Sequence, residues 1–159
     1  MTLSILLIED SARKMSMITD LIKTRFSFIV DSCSSFQDAR AKLLSGHSYA
    51  LVILDMSIPT RRQTGEDTGG SVRQFGGIEI LRFMQRSDVI YPVIVVTQYD
   101  KFTVFDTVKT LDQLSSEMAN EFSGIFFGSV FFSLSSSSWS RELGRKIHVT
   151  LMKGKGQHA

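Results

Sequence analysis

The fold is decided by the stretch Tyr49–Pro59, which reads YALVILDMSIP. Five consecutive apolar residues, rich in β-branched types, predict a strand that is buried on both faces of a parallel sheet. The apolar run ends on a carboxylate, Asp55. Because reacting groups in an open α/β sheet lie at the carboxyl ends of the strands, Asp55 is a candidate functional residue.

A second buried strand is predicted at Leu3–Ile8, and it ends on two further acids, Glu9 and Asp10. Parallel strands bring their carboxyl ends to one edge of the sheet. Three carboxylates that meet there repel one another unless a hard divalent cation lies between them. We therefore expect Glu9, Asp10 and Asp55 to form a cation site.

The rest of the chain alternates between buried-strand patterns and amphipathic helices, the first helix capped by Ser11 and the second by Ser34 or Ser35. Residues 98–107 have a loop-like composition, and a helix is predicted from Val108 to about Phe122. Further strands are predicted at 28–30, 91–96 and 125–132, and the last helix at 139–152. Five strands alternating with helices predict a three-layer, doubly wound α/β fold with a five-stranded parallel sheet.

The stretch 60–76 is polar and aperiodic, which predicts a loop of unusual length; such loops tend to be functional or mobile. We expect one domain over residues 1–153, with this loop inside it, and a polar C-terminal tail at 154–159. The pattern predicts neither a second domain nor an internal repeat.

Composition narrows the class of protein. A hydrophobic content of 43% and a charged content of 21% are typical of a globular chain of 159 residues. A net charge of +2 with scattered basic residues argues against nucleic-acid binding. The single Cys33 fits a reducing compartment. No apolar run approaches the roughly 18 residues of a membrane span, and no signal-peptide pattern opens the chain, so we expect a cytoplasmic protein without a membrane partner.

With its acids on this scaffold, the chain resembles the receiver domain of response regulators in two-component signal transduction. The resemblance covers nearly the whole chain. It implies a flavodoxin-like receiver fold with strand order 2-1-3-4-5. The matching segments are Ile8–Asp10, Leu54–Pro59, Gly76–Leu81 and Val95–Thr97.

The resemblance implies that Asp55 is the phosphoacceptor, which takes a phosphoryl group from a sensor histidine kinase or a phosphotransfer protein. Glu9 and Asp10 would hold Mg²⁺, directly or through water, with Asp55 and the backbone carbonyl of Ser57. The hydroxyl of Thr97 would hydrogen-bond to the attached phosphoryl group as part of a switch. Phosphoryl transfer needs mainly positioning and charge neutralisation, which suits these residue types. Such a domain is not an enzyme beyond Mg²⁺-dependent self-phosphorylation and dephosphorylation.

The chain departs from the family where receivers usually carry a lysine, just after the fifth strand. Residues 131–137 read FFSLSSS, without lysine. The missing cation should weaken the stabilisation of phosphoryl charge. Arg61, Arg62 or Lys101 could replace it, and a serine hydroxyl could replace part of its hydrogen bonding, but the sequence selects none of them. Phe131 or Phe132 is the candidate for the aromatic switch of the family.

A second departure is the loop after Pro59, which places Gly77 eighteen residues beyond the proline, further than the family normally does. The loop 60–76 is either a lid or docking element over the site, or a tolerated insertion.

The leading interpretation is a stand-alone response regulator receiver in a phosphorelay that signals by protein contact. Family analogy places the contact face, and a homodimer interface if one forms, on the fourth helix, fifth strand and fifth helix. The alternative is a pseudo-receiver, a protein-binding module that works without phosphorylation. A haloacid-dehalogenase-type hydrolase is disfavoured because Ser57 stands where that chemistry needs a second acid. A dinucleotide-binding enzyme is disfavoured because no glycine-rich turn follows the first strand.

Overall fold

The computed structural model describes residues 2–60, 72–73, 75–104 and 106–156. Fourteen elements follow one another along these ranges. They are β1 (Ser4–Ile8), α1 (Ala12–Arg25), β2 (Ile29–Cys33), α2 (Phe36–Leu43), β3 (Leu51–Leu54), β4 (Ile58–Pro59), β5 (Val72–Arg73), α3 (Gly76–Arg86), β6 (Val93–Thr97), β7 (Lys101–Val104), β8 (Thr107–Thr110), α4 (Leu111–Glu121), β9 (Phe126–Phe131) and α5 (Ser138–Gly156).

Five of these strands form a parallel sheet in the order β2-β1-β3-β6-β9. Counted among the sheet strands alone, this is the order 2-1-3-4-5. The doubly wound, flavodoxin-like fold expected from the sequence is therefore confirmed. Two short antiparallel pairs, β4 with β5 and β7 with β8, lie outside this sheet.

The core consists of two apolar clusters, one on each face of the sheet. Every residue of β1, β3 and β6 is buried. Alternate residues of these strands belong to opposite clusters, as Leu6 and Ile5 do. Residues of α2, α3 and α4 complete one cluster, and residues of α1 and α5 complete the other. Helices on both faces explain why these strands read as unbroken apolar runs.

The predicted loop at 98–107 is a β-hairpin instead, and α4 begins three residues later than expected, at Leu111. β7 and β8 pair antiparallel, and Thr110 caps α4 together with Gln113. The helical interpretation was wrong for Val108, which has helical spacing to Leu111 but lies in β8 with a 59% exposed side chain. Its β-branched neighbours favour the extended backbone.

The predicted long loop after Pro59 contains the short strand β5, which pairs antiparallel with β4 just before the loop, so that Ile58 lies opposite Arg73. Most of the loop, residues 61–71 and 74, lies outside the described residues. The last helix, α5, extends to Gly156 and so includes the first residues of the predicted tail. Within the described ranges, no helix combines the length and the apolar character that crossing a bilayer requires.

Candidate functional site

The three acids expected to meet do so at the carboxyl edge of the sheet. Glu9 and Asp10 follow β1, and Asp55 follows β3, which pairs directly with β1. Carboxylate oxygens, one from each residue, lie within 4.8 Å of one another. Glu9 and Asp55 are buried, whereas Asp10 is exposed. The sheet register therefore brings the acids together, as expected from the positions of the strand ends.

Backbone contacts fix the position of Asp55. Its N–H donates to the carbonyl oxygen of Ile8 at 3.0 Å. On the other side, the N–H of Gly77 donates to the carbonyl oxygen of Met56 at 2.8 Å. A Cβ at position 77 would lie 2.5 Å from the carbonyl oxygen of Asp55. Only glycine lets the start of α3 approach the strand end this closely.

Lys14, which the sequence analysis did not select, lies between the acids. Its side chain is 2% exposed. The Nζ atom is 2.7 Å from Oε2 of Glu9 and 3.2 Å from Oδ1 of Asp55. It also donates to the carbonyl oxygen of Val96 at 2.8 Å. An ammonium group has three hydrogens, so these three acceptors use its full donor capacity.

Both carboxylate oxygens of Glu9 have protein donors. Oε1 accepts the N–H of Ser11 at 3.0 Å, at the start of α1, and Oε2 faces Lys14. Ser11 in turn caps α1 by accepting the N–H of Lys14 at 3.3 Å. The carboxylate of Glu9 thus orients the helix start and the lysine at the same time.

Burial governs the protonation of the two inner acids. It raises the pKa of the Glu9 carboxyl to about 8, opposed by the charge of Lys14 and assisted by that of Asp55. Burial also raises the pKa of Asp55, against the lowering effect of Lys14. Desolvation disfavours the charged form of a carboxyl group, so the metal-free site retains protons more readily than exposed acids do.

The other predicted site residues lie at the same edge. Ser57 lines a cavity of about 220 Å³ together with Glu9, Asp10 and Asp55. Thr97 ends β6, the strand that pairs with β3, and is fully buried. Its Oγ1 accepts the N–H of Tyr99 at 3.2 Å. The site thus has acids from two strands and a hydroxyl from a third.

Phe132 directly follows β9, within the stretch 131–137 where the resemblance predicts a lysine. The N–H of Phe132 donates to the carbonyl oxygen of Thr97 at 2.8 Å. The ring of Phe132 is buried against Trp139, with the ring centroids 4.7 Å apart, and lies 5.7 Å from Nζ of Lys14. Phe131, the other candidate for the aromatic switch, is 43% exposed.

Only one of the cations proposed as replacements, Lys101, belongs to the described residues. Lys101 is exposed on β7, and Arg61 and Arg62 lie outside the described residues. The sequence does indicate that Lys14 is buried, because this residue is in phase with Ile18 and Ile22 on the buried face of α1. A search for apolar periodicity passes over a lysine at such a position.

Comparisons with known proteins agree with this geometry. No protein-family model matches the chain. It is 25% identical over 147 residues to the Detocs response regulatory protein DtcB of Enterobacter cloacae (strain JD6301), which covers 91% of this chain and 98% of the relative. This match supports the resemblance to response regulators.

Solved structures of receiver domains share the fold over nearly their whole length. A CheY-like response regulator receiver domain protein from Methanospirillum hungatei JF-1 gives a TM-score of 0.67 at 15% identity, with 99% of both chains covered. The N-terminal domain of a response regulator/sensory box/GGDEF 3-domain protein from Carboxydothermus hydrogenoformans gives 0.64 at 17% identity, over 98% of this chain and 99% of that one. The resemblance to receiver domains is confirmed.

Proposed function

We propose that this chain, which has the fold of a response regulator receiver domain, accepts a phosphoryl group on Asp55 in a Mg²⁺-dependent reaction. The donor is a phosphohistidine on a sensor histidine kinase or a phosphotransfer protein. The observation that carries the proposal is the meeting of Glu9, Asp10 and Asp55 within 4.8 Å at the carboxyl edge of a receiver sheet. The protein acts as a signalling domain rather than as an enzyme.

In the transfer step, a carboxylate oxygen of Asp55 attacks the phosphorus atom of the phosphohistidine. A new O–P bond forms while the P–N bond breaks, and its electron pair goes to the imidazole nitrogen, which takes up a proton. The protein contributes a fixed nucleophile and a charged surrounding, since phosphoryl transfer depends mainly on positioning and electrostatics. Backbone hydrogen bonds hold the strand end at Asp55 and Met56, and Lys14 contacts the carboxylate of Asp55, so the nucleophile is in place before the donor arrives.

The residues present fit Mg²⁺. The ion prefers hard oxygen ligands, takes one or two carboxylates and keeps several waters. Asp10 and Asp55 would supply the carboxylates, and Glu9 and the backbone carbonyl of Ser57 would complete the ligand set. Glu9 would act through water, because both of its oxygens already accept protein hydrogen bonds. When bound, Mg²⁺ neutralises charge on the transferring phosphoryl group.

Output is proposed to pass through α4, β9 and α5 to another protein. β9 is an edge strand of the sheet. Two of its aromatic side chains, Phe127 and Phe131, are exposed. The hydroxyl of Ser115 on α4 donates to Ser129 on β9 at 2.7 Å, so a displacement of β9 reaches α4 directly. The free, buried Cys33 fits a reducing location such as the cytoplasm.

The test is binding of beryllofluoride, a phosphoryl mimic, with and without Mg²⁺. Wild-type protein should bind it only with Mg²⁺, and Asp55→Asn should not bind it. Asp20→Asn, which changes an exposed aspartate of α1, is the matched control and should bind like wild type. Equal binding by Asp55→Asn and wild type would overturn the proposal.

One observation favours a second candidate, a receiver-like module that binds its partner without phosphorylation. Lys14 already neutralises charge between Glu9 and Asp55, at the place where the sequence predicts a divalent cation. If wild-type protein fails to bind beryllofluoride at saturating Mg²⁺ while remaining folded, this second candidate replaces the first.

A further inference from the structure

We infer that the ammonium group of Lys14 on α1 pairs with the phosphoryl group attached to Asp55, in place of the lysine absent after β9. The inference rests on the proposed phosphorylation of Asp55 and assigns its charge partner. Lys14 on the first helix thus supplies the positive charge that the resemblance places just after the last strand.

The first support is position. Lys14 lies in the first turn of α1, and its side chain reaches both Asp55 and the backbone of β6. The carbonyl of Val96, which it contacts, immediately precedes Thr97. Lys14 therefore already contacts Asp55, the residue to which the phosphoryl group would be attached. It also lies next to the end of β6, where Thr97 carries the proposed switch hydroxyl.

The second support is the set of acceptors. Phosphorylation turns the carboxylate of Asp55 into an uncharged acyl group and places negative charge on the phosphoryl oxygens. Of the three contacts that Nζ of Lys14 makes, the one with Asp55, at 3.2 Å, is the longest. It is also the one whose acceptor loses its negative charge on phosphorylation. A phosphoryl oxygen takes that place, while the contacts with Glu9 and Val96 hold the ammonium in position.

The third support is the apolar neighbour. The ring of Phe132 follows β9 and lies 5.7 Å from Nζ of Lys14. The buried ring of Phe132 makes the surroundings of the Lys14 ammonium group less polar. A charge in such surroundings interacts more strongly with other charges than it does in water. Among the described residues, Lys14 is the only Lys or Arg that pairs with Glu9 or Asp55.

Removing Lys14 should have opposite effects on the two ligands. Mg²⁺ alone should bind more tightly to Lys14→Met, because the acids lose a cation that competes for their charge. Beryllofluoride at saturating Mg²⁺ should bind about tenfold or more weakly, because a charged hydrogen bond to the mimic is lost. A merely structural role for Lys14 would weaken both.

The experiment measures both affinities by calorimetry in wild type, Lys14→Met and Lys23→Met. Lys23 is an exposed lysine of the same helix, and its replacement should leave both affinities unchanged. Equal beryllofluoride affinity in Lys14→Met and wild type would overturn the inference and leave the proposed function intact. Failure of the wild type itself to bind the mimic would overturn the proposed function, and the inference with it.

If Lys14→Met does not fold, a measurement on the wild type tests whether Lys14 contacts the bound mimic. The fluorine atoms of bound beryllofluoride should show a ¹H–¹⁹F Overhauser contact with the Lys14 ammonium, identified by its loss in Lys14→Arg. Mimic bound at Asp55 without that contact would overturn the inference.

Discussion

The close approach of α3 to the phosphoacceptor predicts a large effect from one added methyl group, in Gly77→Ala. A Cβ at this position would lie 2.5 Å from the carbonyl oxygen of Asp55 and 3.0 Å from the Cα of Met56. Ordinary contacts begin at 3.4 Å, so the oxygen or the helix must move by about 0.9 Å (3.4 − 2.5). Both crowded atoms belong to the backbone, which cannot turn away as a side chain can.

The magnitude follows from two opposing effects on the free energy of unfolding. Overpacking costs about 1–3 kcal/mol, and backbone crowding places Gly77→Ala near the upper value. Alanine recovers about 1 kcal/mol of helix preference over glycine. The net loss is about 2 kcal/mol, which corresponds to a fall in Tm of roughly 4–8 °C in a domain of this size. Beryllofluoride should also bind more weakly, because the backbone of Asp55 is displaced.

Thermal and urea unfolding of the metal-free protein measure this loss. The matched control is Gly144→Ala in α5, where the three atoms nearest to the new Cβ all belong to the side chain of Arg25. The end of a flexible arginine can move, so this variant should be as stable as wild type or slightly more stable. The reasoning is refuted if Gly77→Ala unfolds at or above the temperature of Gly144→Ala.

Three further predictions concern protonation and a partly buried hydrogen bond. Burial raises the pKa of the Cys33 thiol to about 12, so iodoacetamide should modify it slowly in the folded protein and rapidly in urea; fast native modification contradicts this. Because the pKa of Glu9 is raised to about 8 and that of Asp55 is also raised, the folded metal-free protein binds more protons than the unfolded chain. The free energy of unfolding should therefore fall as pH rises from about 5 to 8, while the affinity for Mg²⁺ rises. If calorimetry shows neither quantity changing over this pH range, the prediction is wrong. The Tyr49 hydroxyl donates to Asp31 at 2.6 Å, so Tyr49→Phe should lower the free energy of urea unfolding by about 1–3 kcal/mol, and an unchanged value would count against that bond.

The sequence predicted the parts of the site that depend on strand ends. Buried parallel strands are apolar runs, and a carboxylate that ends such a run is visible without a structure. Glu9, Asp10 and Asp55 were found in this way, and the sheet register then brings them together. The physical reason is that both faces of the sheet are covered, which leaves polar groups only at the strand ends.

Other features depend on tertiary contacts that a local pattern does not contain. Lys14 was missed because helical periodicity treats a lysine as a solvent-facing residue, whereas two buried acids and a carbonyl supply its acceptors. The hairpin before α4 was missed because Val108 also fits helical spacing. The phase of Lys14 with Ile18 and Ile22 indicates burial, but only the tertiary structure shows which acceptors its ammonium group contacts.

The most direct test of phosphorylation on Asp55 is the intact mass of the protein after incubation with acetyl phosphate. Wild type should gain one phosphoryl group with Mg²⁺ and none with EDTA, and reductive trapping should place it on Asp55. Asp55→Asn should gain none under either condition. A phosphoryl group on Asp55→Asn, or none on folded wild type at saturating Mg²⁺, would contradict the account.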